Sequence, residues 1–352
     1  MLPFAAILAL FTFFSSCHGK AGKLKKPVTT IRIEPVADFF RLGQSVTVWV
    51  STKAKPGTLK RTELFLNNTL IATSDQSEFS AVIPALETTG VMTLKAVSEN
   101  IKGADATRIA NFTVLSDLIP VAYRYTLVRE YPHSDRHFTQ GLEFHDGFLY
   151  EGTGEQGKSA LYKIVLSSGK TVKEKPLGPQ YFGEGITVLN NKIYQLTYKN
   201  RIGFVYNLED FSVADSFRFI SNEGWGLTND GINLIMSDGT GTLTWISPSD
   251  YSVLKKIQVT DHEKVYRYLN ELEFDNGAIW ANVWTTDRII RIDPDKGIVT
   301  GYVDVKGILG VMDAAKSEGI DVLNGIARLP QTGHLLITGK RWPKLFEIQV
   351  DH

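Results

Sequence analysis

The chain reads as a succession of short runs in which apolar and polar positions alternate, the period of strands with one face buried. From Pro27 to Asp117 the runs are TTIRIEP, SVTVWVST, RTELFLN, LIATSD, FSAVIPA, VMTLKAVS and RIANFTVL. Turn signals at Leu42-Gly43, Pro56-Gly57, Asn67-Asn68 and Gly90 separate them. This spacing predicts a small β-sandwich of immunoglobulin type over residues 27–117, without the Cys and Trp hallmark of antibody domains. No cluster of His, Asp or Glu in it points to chemistry, so it reads as a spacer or docking module.

Beyond residue 119 the pattern repeats five times. The repeats are FTQGLEFHDGFLYEGTG from Phe138, FGEGITVLNNKIYQLTY from Phe182, EGWGLTNDGINLIMSDG from Glu223, YLNELEFDNGAIWANVW from Tyr268 and VLNGIARLPQTGHLLITGK from Val322. Each carries a marker residue followed by Gly or Glu and then Leu or Ile. The markers Gln140, Glu184, Trp225, Asn270 and Asn324 stand 44, 41, 45 and 54 residues apart. The first three spacings suit one four-stranded propeller blade. The last is longer because residues 306–321 insert a helix-like excursion. The fifth repeat lacks a fourth strand, and AYRYTLVREY at 122–131 is available to supply it. Closing the ring this way removes an exposed sheet edge. The expectation is an all-β chain in which residues 119–352 form a five-bladed β-propeller. Equivalent positions in such a ring converge at one end of the axis. The markers and the residues ending the next strand (Gly154, Tyr198, Asp238, Trp284 and Lys340) should therefore share one mouth, with the aromatic and polar mix of a binding pocket.

Residues 1–17 read as a signal peptide: Leu2 to Ser16 is almost wholly apolar, too short for a membrane span. Its end, Phe14-Ser15-Ser16-Cys17, resembles a bacterial lipobox, which makes Cys17 the expected lipidation site. Residues 18–26 read as a polar linker. The expected location is exported, as a periplasmic or outer-membrane-anchored lipoprotein of a bacterium that meets the membrane only through its lipid. Charge supports no nucleic-acid partner: 38 Lys+Arg balance 38 Asp+Glu. With Cys17 the one cysteine, an intramolecular disulfide and a thiolate zinc site are excluded. GTGEQGKS (152–159) has the spacing of a phosphate-binding loop, but a β run follows it where that motif needs a helix N-terminus. His133 and His137 precede a strand beside Pro132 and read as a surface loop pair rather than metal ligands.

Eight motifs carry a resemblance across 122–350: PHSDRHFTQGLEF (132–144), YFGEGIT (181–187), YQLTY (194–198), EGWGLT (223–228), LNELEF (269–274), WANVW (280–284), DVLNGIA (321–327) and TGKRWPKLFEI (338–348). The chain resembles glutaminyl-peptide cyclotransferases of the plant and bacterial type. The resemblance implies a five-bladed propeller that converts the N-terminal Gln of peptides or proteins to pyroglutamate and releases ammonia. It implies Glu184 as general acid/base, Asn270, Lys340 and Gln140 beside it in catalysis, and Phe138, Phe182, Tyr198, Trp225 and Trp284 as substrate-binding walls. Tyr198 is a departure, since the family has tryptophan there. No cofactor is required and no catalytic metal is implied; a structural divalent ion has room in the fold. The residues make chemical sense of this, because the amine and the amide it attacks are already tethered and one carboxylate can shuttle the proton. Two other readings use the same ring. A metal-dependent propeller hydrolase of lactonase type would take Glu184, Asn270 and Asn324 as oxygen ligands. A non-catalytic lipoprotein that binds peptides or glycans would need the pocket but not the carboxylate.

Overall fold

The computed structural model describes residues 25–55, 58–310 and 319–351. The leader with Cys17, most of the linker and the centre of the helix-like insert (311–318) lie outside the described residues. Among the described residues there is no helix; the elements are strands and turns.

Two sheets make the N-terminal part. Strands Val28–Glu34, Val46–Lys53 and Glu78–Ile83 form one, and Phe40–Arg41, Asp105–Leu115, Gly90–Asn100, Leu59–Leu66 and Thr69–Ser74 the other. Alternation explains their packing. Val46, Val48 and Val50 point inward from the first sheet and meet Leu64, Leu94, Ala96 and Phe112 of the second in one core. This part docks on the rest through named bonds. Thr89 Oγ1 donates to the carbonyls of Gln258 (3.1 Å) and Lys296 (3.0 Å), and Arg41 donates to the carbonyl of His262 (2.6 Å).

The remainder is β-propeller-like. Three separate four-stranded sheets run in chain order from Thr139–His145, from Gly183–Leu189 and from Leu227–Asn229. A further eight-stranded sheet consists of two four-stranded halves. One half holds Leu269–Asp275, Ala278–Val283, Arg288–Ile292 and Val299–Asp304. The other holds Leu323–Arg328, Leu335–Gly339, Lys344–Asp351 and, from far upstream, Val121–Pro132. That upstream strand lies antiparallel to Lys344–Asp351 and parallel to Val299–Asp304 over Gly301–Val303, so both halves share it. First strands touch their neighbours in sequence, and the last, Leu323–Arg328, touches the first, Thr139–His145, which closes the ring.

Four of the five markers stand where the first strands slip register: between Thr139 and Gly141, Gly183 and Ile186, Leu269 and Leu272, and Leu323 and Ile326. Such bulges re-aim a side chain. The glycine after each marker has a steric reason. A Cβ on Gly141 would overlap Ile186 N, one on Gly185 would overlap Leu227 N, and one on Gly226 would overlap the Asn270 carbonyl. Neighbouring first strands thus touch through bare backbone. The fourth repeat has Glu271 at this place. Its buried carboxylate accepts N–H bonds from Leu142 (3.1 Å) and Ile326 (2.8 Å), joining three repeats.

Gly226→Ala forces apart two backbones with nowhere to move. A loss of roughly 2–4 kcal/mol in unfolding free energy is expected, read from urea denaturation of the full chain.

Candidate active site

One cavity of about 170 Å³ opens at the marker end of the ring, lined by Phe138, Gln140, Phe182, Glu184, Tyr198, Trp225, Asn270, Trp284 and Lys340. Asp238 and Gly154 do not line it. The Asp238 carboxylate is tied instead to Ser221 (3.0 Å) and to the N–H of Thr240 (3.1 Å). Asn324, fully buried, stands behind the wall: its Nδ2 donates to Gln140 Oε1 (3.1 Å) and to the Thr139 carbonyl (3.0 Å). Gln140 therefore offers the cavity its Nε2 donors. A larger groove of about 570 Å³ lies at the opposite end, along Asp146, Asn191 and Glu209, and holds none of these residues.

The walls are aromatic pairs, three of the four set edge to face, the arrangement that ring quadrupoles favour, and Phe182–Tyr198 tilted. Phe138 meets Phe182 at 6.1 Å, and Phe182 meets Tyr198 at 5.8 Å. Across from them Trp225 meets Trp284 at 5.7 Å, and Trp284 meets Tyr268 at 5.8 Å. Trp225 Nε1 donates to Glu223 (3.0 Å), which fixes the indole plane. Gly239 and Gly154 make room: a Cβ on either would run into the ring of Trp225 or Phe182.

Electrostatics set Glu184 apart. It is 4 % exposed, and burial pushes its carboxyl well above the usual carboxylate range. The Lys340 ammonium pulls it back down and Glu223 pushes it up further. Lys340 is itself buried, which lowers its pKa against the attraction of Glu184 and Asp321. Its Nζ sits 4.8 Å from the centre of the Phe138 ring. Asn270 Oδ1 is buried with no protein partner, an acceptor left for something in the cavity.

Comparison with known proteins matches this arrangement to one group. The sequence profile described as glutamine cyclotransferase matches residues 100–350. The chain belongs to the glutamine cyclotransferase family. A glutaminyl-peptide cyclotransferase of Arabidopsis thaliana is 40 % identical over 225 residues, 64 % of this chain and 70 % of that protein. The crystal structure of Myxococcus xanthus glutaminyl cyclase superposes with a TM-score of 0.62 at 36 % identity, over 66 % of this chain and 99 % of that one. The chain is thus an enzyme of the glutaminyl-peptide cyclotransferase kind.

Beyond Asp238, Gly154 and Asn324, which the sequence reading had placed at the mouth, the structure corrects a further expectation. His133 and His137 are not a surface loop pair, since their side chains are 2 % and 10 % exposed. They flank Glu151, fully buried, with His133 Nε2 at 3.1 Å and His137 Nδ1 at 2.7 Å from its two oxygens. Thr139 Oγ1 donates to Glu151 as well (2.7 Å). Proximity to a strand misled the sequence reading, because a chain can turn inward immediately before a strand. Burial alone would push Glu151 up and His133 down. The facing charges outweigh it, so Glu151 stays well below the carboxylate range and His133 above the imidazole value. Glu271 and Glu143 were also missed. The signal for Glu271 was on the page, as the one acidic residue at a glycine position of the repeat.

Burial raises Glu143 to about 7, with bonds from Thr187 and Val188 opposing it, and raises Glu271 and Glu273 well above the usual carboxylate range. A carboxyl raised on folding holds its proton in the folded state, so it favours folding at low pH and loses that contribution as pH climbs through the folded value. Unfolding free energy should therefore fall between pH 5 and 8, by up to about 1.4 kcal/mol per pH unit per such group. Glu143→Gln should flatten part of that fall below pH 7. A variant whose slope matches the wild type contradicts the assignment.

Proposed function

We propose that Glu184 carries the proton in the cyclisation of an N-terminal Gln to pyroglutamate, inside a cavity whose rings hold the reactive conformer. The observation that carries this is a buried carboxylate of raised pKa beside Lys340 in a small aromatic pocket. The α-amine nitrogen bonds to the side-chain amide carbon of the same residue. Glu184 takes the proton the amine sheds and delivers it to the departing nitrogen; the C–N bond breaks and ammonia leaves. A raised pKa suits both halves of that shuttle. The free Asn270 oxygen fits a donor, the substrate amine or amide NH₂. Gln140 Nε2 and the Lys340 ammonium fit the amide oxygen as it gains charge. The rings contribute by excluding water and by holding amine and amide together. Tyr198, in place of tryptophan, leaves one wall smaller with a hydroxyl at its edge.

The same reading takes the ring as five blades, the fifth closed by Val121–Pro132, and the N-terminal sheets as an immunoglobulin-like sandwich. It places substrates among exported peptides and proteins that begin with Gln, met at an envelope to which Cys17 anchors the chain.

The test is mass spectrometry of a Gln-initiated peptide incubated with the purified chain. Loss of one ammonia is expected. Glu184→Gln should lower kcat at least ~100-fold while peptide binding persists. Turnover by the variant at the wild-type rate assigns the proton to another group.

A further inference from the structure

The His133–Glu151–His137 cluster has donors converging in a buried space, and the reaction does not use it. All three offered ligand atoms lie within 4.8 Å of one another. The tautomer of His133 is decisive. Its Nδ1 lies 2.6 Å from the Trp342 carbonyl oxygen, which can only accept, so Nδ1 carries a proton. Nε2 faces a Glu151 oxygen 3.1 Å away, so a cation stands between them, either a proton on the imidazole or a metal ion in its place. A backbone carbonyl that fixes Nδ1–H and frees Nε2 is the usual support of a metal-binding imidazole.

We propose that His133 Nε2, His137 Nδ1 and the Glu151 carboxylate bind one transition-metal ion, zinc by donor type, as a structural brace. Two imidazoles and a carboxylate are a zinc donor set, with a fourth position for Thr139 Oγ1 or water. Zinc bond lengths in a tetrahedron set neighbouring donors about 3.3–3.5 Å apart. Each imidazole needs to move off the carboxylate by a few tenths of an ångström, and the two imidazoles need to draw together. The Tyr162 ring, stacked on His137 at 4.2 Å, bounds the site on one side. Its place in the fold says what it braces. The Arg341 N–H donates to the His137 carbonyl (2.7 Å), His133 N–H donates to the Pro343 carbonyl (3.0 Å), and His133 holds Trp342. These contacts hold the turn that follows Lys340, while Phe138 and Gln140 follow directly on His137. The metal stands behind the cavity and takes no part in the proton transfer.

The full chain is stripped with a chelator, dialysed, and titrated with ZnCl₂. Expected are one zinc per chain by elemental analysis, a rise in Tm of at least ~3 °C, and loss of both in His137→Ala. Co²⁺ supplies a second readout on the unmutated chain: tetrahedral binding gives intense visible d–d absorption. Absence of stoichiometric zinc together with an unchanged Tm overturns the proposal and leaves a proton as the cation between His133 and Glu151. Full zinc binding by His137→Ala overturns it too, because the ion then sits elsewhere. Neither readout depends on turnover, so the result stands whether or not the cyclotransferase mechanism does.

Discussion

The structure depends on how closely the first strands of the ring approach one another. At Gly141, Gly185 and Gly226 the gap to the next strand admits no Cβ. Side chains before those glycines cannot pack between strands, and at Gln140 and Glu184 a register slip re-aims them toward the mouth. Packing geometry and pocket composition are thus one constraint. Backbone groups near the axis are linked from repeat to repeat: Gly185 N–H donates to the Trp225 carbonyl (2.7 Å), and Ser237 Oγ, which accepts from Gly226 N–H (2.7 Å), donates to the Asn270 carbonyl (2.7 Å). Glu271 does the same across the wider gap.

The cavity inherits its chemistry from that frame. Glu184 sits between two glycines that give it no cover of its own, so its environment comes from other repeats: Lys340 and Phe138 on one side, Trp225 and Trp284 on the other. A low-dielectric wall raises its pKa, while a single ammonium keeps ionisation within reach. Asn324 contributes at one remove by fixing which end of Gln140 faces the cavity. Glu151 with its two histidines holds the turn beyond Lys340, which ties the far wall to the first repeat.

Much of this was legible in the sequence because a repeat states the same geometric rule several times. The period located the strands, and bulges fell on four of the five markers. Residues whose role depends on a partner remote in sequence were less legible. Glu151 lies on a strand of ordinary pattern, and nothing local says that His133 and His137 turn in to meet it. Asp238 shows the converse: the first strand of its repeat, Leu227–Asn229, is the shortest of the five, and the residue ends outside the cavity. Phe40–Arg41 was missed because two residues carry no period.

The central claim, that Glu184 transfers the proton from within this cavity, is tested most directly by the pH dependence of kcat in the wild type and in Lys340→Met, with a Gln-initiated peptide. The acidic limb of kcat reports the carboxyl in the substrate complex. The account predicts a limb well above the ordinary carboxylate value, displaced to higher pH in Lys340→Met because the ammonium no longer favours the ionised form. A limb at the ordinary carboxylate value, unmoved by the substitution, would contradict it.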